Sequence, residues 1–315
     1  GVEMGQVGLG DNRLYNHMNI QPVVNLDTGG TTGRGRWRAM AMFGSYGSPS
    51  GTWAEGVYNM RYVKDNGVWK IQDLDYHSGF GASYATGWGA TEDAPPRNGG
   101  VRNLPHPADE ARNMACEGFP QSCVAPFLYG NLGTTEDGSI WQSSTVPALP
   151  ADTDYAVLTG ELLQRAQILR DEQQIENLQR IYGFYIDRAM WDKAAALFAS
   201  DGTIEYGQQG VFKGAQRVRE FMGSWGPQGL HDGWLNDHVQ LQTLATVAPD
   251  GLTARARSRE WNMLGDQALS GSGKWEEGTF ENSYVKQNGV WKFASIHYFP
   301  TFITDYDKGW TQDAQ

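Results

Sequence analysis

The chain has 315 residues, of which 40% are hydrophobic and 12% aromatic, and this is enough apolar material for two packed domains. Its formal net charge of -11 repels phosphate backbones and anionic lipid, so we expect neither nucleic acid nor membrane as a partner. No stretch approaches roughly 18 consecutive apolar residues, which argues against a membrane-spanning helix.

The first segment, residues 8–88, has the pattern of an antiparallel sheet. The whole chain is rich in glycine and aromatic residues, with 40 Gly, 12 Trp, 14 Tyr and 12 Phe, as is typical of strands joined by tight turns. Arg34, Arg36 and Arg38 occupy every second position and therefore face one side of a strand. Asn66-Gly67 is the signal of a two-residue type I′ hairpin. These patterns predict a meander of about four long strands.

Residues 89–153 form a connector rich in Gly, Pro, Asn and Thr, with one short helix predicted near 108–115. It contains both cysteines of the chain, Cys116 and Cys123, which are too few to complete a zinc site. We favour a local disulfide in an oxidising compartment over two reduced thiols. We therefore expect a periplasmic or secreted protein, with a cytoplasmic location as the alternative.

Residues 154–315 begin with helical periodicity and end with strand alternation. Apolar residues recur at three-to-four spacing between Leu162 and Ile186, which predicts one long amphipathic helix. Two shorter helices are predicted after it, at 191–199 and 216–222. In the strands that follow, Asn288-Gly289 repeats the hairpin signal of the first segment.

The segments 8–88 and 229–310 can be aligned over their whole length with a single one-residue shift. His17 aligns with His238. The pattern Tyr-Val-Lys-x-Asn-Gly-Val-Trp-Lys surrounds the hairpin turn in both copies. The alternating arginines also recur, as Arg255, Arg257 and Arg259. Agreement of this extent indicates a tandem duplication.

The first copy has no helical segment ahead of its sheet in this sequence. An open sheet with one uncovered apolar face is not expected to be stable alone. We therefore expect that the chain is a fragment, whose upstream helices and signal segment are missing, or that a partner supplies the helices. We favour the fragment.

A longer pattern runs through the second copy and the helices before it: Tyr182-x-x-Tyr185-x-Asp187-x-x-x-Trp191-Asp192, Leu197-Phe198-Ala199-x-Asp201-Gly202, Gly214, His238 and Gly289-Val290-Trp291-Lys292-Phe293. This pattern resembles the nuclear transport factor 2-like superfamily, and in particular its SnoaL-like branch, which includes scytalone dehydratase. The resemblance implies an α+β fold with two cone-shaped domains, each a curved antiparallel sheet with a long helix. We divide the chain into a partial domain at 1–88, the connector at 89–153 and a complete domain at 154–315.

In this superfamily, side chains that point into the cone carry out the chemistry. The resemblance implies that His238 and Asp187 form an acid–base dyad, in which Asp187 orients the imidazole, and that His17 is the equivalent of His238 in the first copy. Tyr185 or Tyr284 is then the hydroxyl donor to a substrate oxygen. The remaining candidates for substrate binding are Tyr182, Trp191, Phe280, His297 and Tyr298.

These assignments have structural alternatives. Asp187 can simply end the helix, and His238 can be a hydrogen-bonded core residue. Aromatic residues at helical spacing are usually core, and His297 can be a solvent-facing position of the last strand. The arginines opposite Glu55 and Glu277 can form a cross-strand charge ladder rather than a clamp for a substrate carboxylate.

The sequence has no phosphate-binding loop, dinucleotide fingerprint, serine elbow or metal-ligand cluster, so we expect no cofactor and no metal. The leading hypothesis is a cofactor-independent lyase, such as a dehydratase, or an isomerase acting on a small hydrophobic, aromatic or polycyclic molecule by His/Asp catalysis. The alternative is a non-catalytic duplicated module that binds a ligand or assembles. We expect a homo-oligomer or self-assembly through the sheet faces.

Overall fold

The computed structural model describes residues 10–27, 29–48, 50–87, 109, 150, 152–266 and 273–312. The chain divides into two compact units, Gly1–Ala148 and Leu149–Gln315. Cys116 and Cys123 lie outside the described residues, as does the short helix predicted near 108–115 except for residue 109. The finer domain boundaries at 88 and 153, like the disulfide, stay predictions.

The first unit contains a four-stranded antiparallel meander in the order β1-β2-β3-β4. Its strands are Arg13–Leu26 (β1), Thr32–Ser45 (β2), Thr52–Asp65 (β3) and Val68–Ser83 (β4). The described residues of this unit include no helix, so what they show is the sheet half of a domain.

Within its described residues, the second unit combines three helices with a six-stranded sheet. The helices are Tyr155–Asp187 (α1), Trp191–Ala195 (α2) and Ala215–Gly223 (α3). The strands are Phe198–Tyr206 (β5), Val211–Lys213 (β6), Trp234–Val247 (β7), Thr253–Asp266 (β8), Gly273–Gln287 (β9) and Val290–Asp305 (β10). The sheet order is β6-β5-β10-β9-β8-β7, and the pairing is antiparallel except between β5 and β10.

Helix α1 confirms the predicted long helix, which begins earlier than the periodicity indicates, but Leu162 and Leu169 of its predicted apolar stripe are exposed. Asp154 caps it, because its side chain accepts hydrogen bonds from two backbone N–H groups of the first turn. The buried apolar residues of the helix lie in its second half and recur at three-to-four spacing: Ile175, Leu178, Tyr182 and Ile186. The packing of this stripe against the sheet forms the core of the second unit.

The helix predicted for 191–199 is wrong in its second half. Helix α2 ends at Ala195, and the chain enters β5 at Phe198, which is 3% exposed. Phe198 pairs with Phe293 of β10, so sheet hydrogen bonds and burial of the ring outweigh local helical propensity. The periodicity does not reveal β5 or β6, because β6 has three residues and Asp201-Gly202 interrupts the alternation of β5.

The two meanders share their pairing register, which confirms the duplication. Residues that align between the copies pair with aligned partners, both between the first two strands of each meander and between the second and third. Each first strand carries a bulge at the same place, where Gln21 and Gln242 have the same φ of 52°. A positive φ is uncommon for residues other than glycine, so this shared conformation is a specific match.

The predicted type I′ hairpins are present in both copies. Asn66 and Gly67 have φ values of 48° and 81°, and Asn288 and Gly289 have values of 51° and 79°. A type I′ turn needs a positive φ at both central residues, and Asn-Gly is the dipeptide that adopts it at least cost.

A glycine in the third strand of each meander makes room for a tyrosine from the fourth strand. A Cβ at Gly278 would lie 2.6 Å from the carbonyl oxygen of Phe299 and would overlap the Tyr298 ring. Gly56 and Tyr76 repeat this arrangement in the first copy. The tyrosine ring therefore lies flat across the neighbouring strand in both copies.

We predict that Gly278→Ala destabilises the second unit by about 1–3 kcal/mol, because the added methyl group overpacks a site that has no space for it. Urea unfolding followed by tryptophan fluorescence measures the effect. The matched control is Gly160→Ala in the exposed half of α1, where a Cβ meets no atom within 4 Å. This control should stabilise the helix by about 1 kcal/mol. An unchanged unfolding midpoint for Gly278→Ala would contradict the role given to this glycine.

Candidate active site

Helix α1 lies against the inner face of β7 at a glycine. A Cβ at Gly183 would lie 2.6 Å from a side-chain carbon of β7 and 3.1 Å from the carbonyl oxygen of His238. The side chain of Asn236 donates from Nδ2 to the carbonyl oxygen of Ile186 at 2.8 Å, which ties the end of the helix to the strand. This approach places Asp187, the last residue of α1, beside His238.

His238 and Asp187 are in contact through the backbone of the histidine, whereas its ring nitrogen Nδ1 has no hydrogen-bond partner among the described residues. The backbone N–H of His238 donates to Asp187 Oδ1 at 2.6 Å, and His238 Nδ1 lies 3.7 Å from the same oxygen. Burial lowers the pKa of His238, but the carboxyls of Asp187, Glu260 and Glu276 outweigh this effect, so that the pKa is raised above its ordinary value. The site therefore favours the imidazolium form.

Two buried carboxyls that the sequence analysis missed lie on the same inner face. His238 of β7 pairs with Asn262 of β8, which in turn pairs with Glu276 of β9. Glu260 lies two residues before Asn262 and therefore on the same face, opposite Gln240. Glu260 is 1% exposed and Glu276 is 8% exposed.

The hydrogen bonds of the two carboxyls differ. Glu260 accepts from Gln240 Nε2 at 2.6 Å and from Asn262 Nδ2 at 3.2 Å. The Tyr206 hydroxyl lies 3.4 Å from Glu260 Oε2 and 3.3 Å from Glu276 Oε1. Within the described residues, neither carboxyl forms an ion pair with lysine or arginine. Burial is the main cause that raises the pKa of both.

A chain of hydrogen bonds leads to Glu260, and each group in it donates to the next. The Tyr284 hydroxyl donates to Gln179 Oε1 at 3.0 Å, and Asn282 Nδ2 donates to the same oxygen at 2.8 Å. Gln179 Nε2 then donates to Gln240 Oε1 at 2.7 Å, and Gln240 Nε2 donates to Glu260. Tyr284 thus starts this chain, and its hydroxyl is already used in a bond within the protein.

Aromatic rings form the apolar part of the inner face. Tyr182, Phe280 and Tyr298 are each at most 1% exposed, and Phe280 contacts both tyrosines, with ring centroids 6.1 and 4.8 Å apart. Tyr298 also stacks on Tyr206 at 4.2 Å. The structure therefore brings these three predicted residues to the same face as His238.

The other predicted site residues lie elsewhere in the second unit. Trp191 is in the core and donates from Nε1 to the Gly226 carbonyl oxygen at 3.0 Å. The Tyr185 ring faces the Lys193 ammonium at 5.8 Å. His297 adjoins Tyr298 in β10 and so points to the opposite face of the sheet, where its Nε2 lies 3.6 Å from Glu205 Oε1.

A family model for the SnoaL-like domain matches residues 3–75 and 167–297, which together are more than half of the chain. The chain belongs to the SnoaL-like domain family. The two matched regions follow the two copies, and the fold is α+β with two SnoaL-like domains, the first without helices in its described residues. No curated protein matches the sequence.

Solved structures with low sequence identity are similar to this SnoaL-like protein. A candidate scytalone dehydratase from Novosphingobium aromaticivorans is 20% identical, with 45% of this chain and 91% of that chain covered and a TM-score of 0.40. A nuclear transport factor 2-like protein from the same organism is 19% identical, with 48% and 92% covered and a TM-score of 0.38. The hexachlorocyclohexane dehydrochlorinase LinA-type3 from Novosphingobium barchaimii is 15% identical, with 45% and 92% covered and a TM-score of 0.38.

The two copies of the SnoaL-like sheet differ at the inner positions of the site. In the alignment of the copies, alanines of the first replace Glu260, Asn262 and Glu276 of the second: Ala39, Ala41 and Ala54. His17 remains as the equivalent of His238. The sequence therefore contained a signal for the buried carboxyls: acidic residues stand at inner strand positions of the second copy where the first copy has alanine.

The arginines of the outer face form cross-strand ion pairs in both copies, which agrees with the charge-ladder alternative. Arg38 Nη1 lies 2.5 Å from Glu55 Oε1, and Arg259 Nη1 lies 3.0 Å from Glu277 Oε1. Glu277 is fully buried. These arginines are engaged within the sheet.

The described residues contain no group of His, Cys, Asp and Glu side chains that could hold a metal ion. No helix among them is long and apolar enough to cross a membrane.

The raised pKa values predict how stability depends on pH. His238, Glu260 and Glu276 bind protons more tightly in the folded than in the unfolded chain. The contribution of the two glutamates is therefore complete below their ordinary pKa of 4.5 and is lost as the pH rises through their raised pKa, and that of His238 is complete below 6.5 and is lost above it. We predict that Glu260→Gln makes the urea midpoint less dependent on pH in this range.

The control for this prediction is Glu281→Gln, which removes a carboxyl of the same sheet that is 55% exposed and paired with Arg257 on the outer face. Its midpoint should follow that of the unmodified chain at every pH. Equal pH dependence of Glu260→Gln and the unmodified chain would contradict the assignment.

Proposed function

We propose that the second domain is a cofactor-independent acid–base enzyme, a lyase such as a dehydratase or an isomerase. The observation that carries the proposal is the contact of His238 with Asp187 on an inner face that also holds Glu260 and Glu276. An imidazole that titrates near neutral pH can take a proton from a substrate and return it. Such chemistry needs no cofactor.

Asp187 supports this role of His238 in two ways. Its Oδ1 accepts the backbone N–H of His238, which fixes the strand relative to the end of α1. The same oxygen lies on the Nδ1 side of the ring, so its charge stabilises the imidazolium and leaves Nε2 as the atom for proton exchange. We therefore propose Asp187 as the orienting partner.

The substrate class follows from the aromatic rings beside this pair. Tyr182, Phe280 and Tyr298 present apolar ring surface rather than charged groups to the interior. Flat hydrophobic molecules gain most from contact with such rings. We propose a small aromatic or polycyclic substrate with a hydroxyl or carbonyl oxygen close to an acidic C–H bond.

A second candidate, a non-catalytic module that binds a ligand or assembles, is favoured by the full burial of these rings. Phe280 and Tyr298 are 0% exposed, as expected where side chains fill the cone. In that case His238 and Asp187 serve only to join α1 to β7. The two candidate functions differ in the expected effect of removing the His238 imidazole: an enzyme loses turnover, whereas a binding module has no turnover to lose.

We predict that His238→Ala lowers turnover at least 100-fold, since general acid–base catalysis typically contributes about 10²–10⁴-fold. The assay uses a panel of hydroxylated phenols and polycyclic ketones, with loss of water or double-bond migration followed by ultraviolet absorbance. The chain offers a matched control in His17→Ala, because the inner face of the first copy lacks the carboxyls of the second. This control should retain the full rate.

Circular dichroism and the urea midpoint distinguish loss of catalysis from loss of folding, and His238→Gln provides a variant of closer shape. Retention of turnover by a folded His238→Ala protein would refute the enzymatic assignment. The absence of turnover of every compound by the unmodified chain, combined with ligand binding, would favour the module.

A further inference from the structure

We propose that Glu276 is a second proton-transferring group of the site: it shares one proton with Glu260 through the Tyr206 hydroxyl and donates it to a substrate oxygen. The chemical step rests on the proposed function. The shared proton is a property of the folded chain and can be tested without a substrate.

The geometry around Tyr206 carries the argument. Its hydroxyl has one hydrogen but lies within hydrogen-bond distance of two carboxyl oxygens, Glu260 Oε2 at 3.4 Å and Glu276 Oε1 at 3.3 Å. The phenol can donate to only one of them. A hydrogen on the other carboxyl, donated to the phenol oxygen, makes the second contact favourable as well.

The amide donors favour Glu260 as the ionised carboxyl. Gln240 Nε2 and Asn262 Nδ2 both donate to Glu260. The amide orientation of Gln240 is fixed, because its Oε1 accepts from Gln179 while its Nε2 also lies 3.3 Å from the His238 carbonyl oxygen. Glu276 is contacted by the hydroxyls of Tyr206 and Tyr298 and by Asn262, so we assign the anion to Glu260, which has two amide donors, and the proton to Glu276.

The charges around the pair favour the same state. In the described part of the chain, the titratable groups that face it are Asp187 and Tyr182 on α1, Tyr206 on β5, His238 on β7 and Tyr298 on β10. Only His238 among them becomes a cation. One imidazolium cannot balance three buried or half-buried carboxylates, so a neutral Glu276 lowers the electrostatic cost.

The duplication supplies an independent observation. Ala39 and Ala54 stand where Glu260 and Glu276 stand, yet the first meander has the same register, bulge and hairpin. The sheet therefore forms without the carboxyl pair. A buried pair that costs stability and is not needed for the fold points to a role in chemistry.

The proposed reaction is a dehydration in which Glu276 and His238 end in their starting protonation states. In the reactive state His238 is neutral; it takes a proton from a substrate carbon and becomes the imidazolium, and the electron pair of that C–H bond forms the new C=C bond. The C–O bond breaks as Glu276 gives its proton to the departing hydroxyl, which leaves as water. His238 then returns its proton to the Glu276 carboxylate through solvent, which restores the starting state.

The first experiment is an infrared difference spectrum of the full chain minus its Glu276→Gln variant at pH 7. We expect a carboxylic-acid carbonyl band that shifts in heavy water and is absent from the matched difference with Glu281→Gln. Glu260→Gln provides a second variant should Glu276→Gln fold poorly, and the acid band should move in it because its anionic partner is gone. The absence of an acid band would overturn the shared proton.

The second experiment is the pH profile of kcat/KM on any substrate found with the compound panel. Glu276→Gln should lower kcat at least 100-fold and remove the alkaline limb of the profile, where Glu276 loses its proton. Glu281→Gln should leave both unchanged. An unaltered profile for a folded Glu276→Gln protein would overturn the donor role. Turnover retained in His238→Ala would instead refute the proposed function, and the infrared result would still stand.

Discussion

A helix with a Cβ at position 183 could not lie where α1 lies, because the space is filled by a β7 side chain and by the carbonyl oxygen of His238. The close packing of α1 on β7 is the constraint on which the site depends. It brings Asp187 to His238, and it lets Gln179 reach Gln240. The helix therefore supplies Asp187 as the partner of the imidazole. It also supplies Gln179, whose amide orients Gln240 toward Glu260.

The duplication separates what the sheet needs from what the site needs. Both copies keep the bulged glutamine, the Asn-Gly hairpin and the glycine beneath a tyrosine ring. Both also keep an arginine–glutamate pair on the outer face. These shared features act on backbone conformation and strand register. The inner carboxyls are present in one copy only, so the sheet does not need them to form.

The sequence predicted those parts of the fold that depend on local pattern. The long helix, the hairpins and the duplicated meander all follow from periodicity, turn chemistry and alignment. Strand β5 could not be found in this way, because its pairing with β10 is parallel and lies about ninety positions away in sequence. His238 and Asp187 were predicted from a resemblance. Glu260 and Glu276 could not be predicted from residues that the two copies share, because the first copy has alanine at both positions.

Buried carboxyls in this protein are stabilised by two different devices, and the difference bears on function. Glu277 on the outer face is paired with Arg259, whose charge is permanent. Among the described residues, the hydrogen-bond partners of Glu260 and Glu276 on the inner face are amides and hydroxyls, and the imidazole of His238 lies near them. Neutral donors tolerate either protonation state far better than a guanidinium does. The outer pair thus holds the sheet together, whereas the inner pair can gain and lose a proton next to His238.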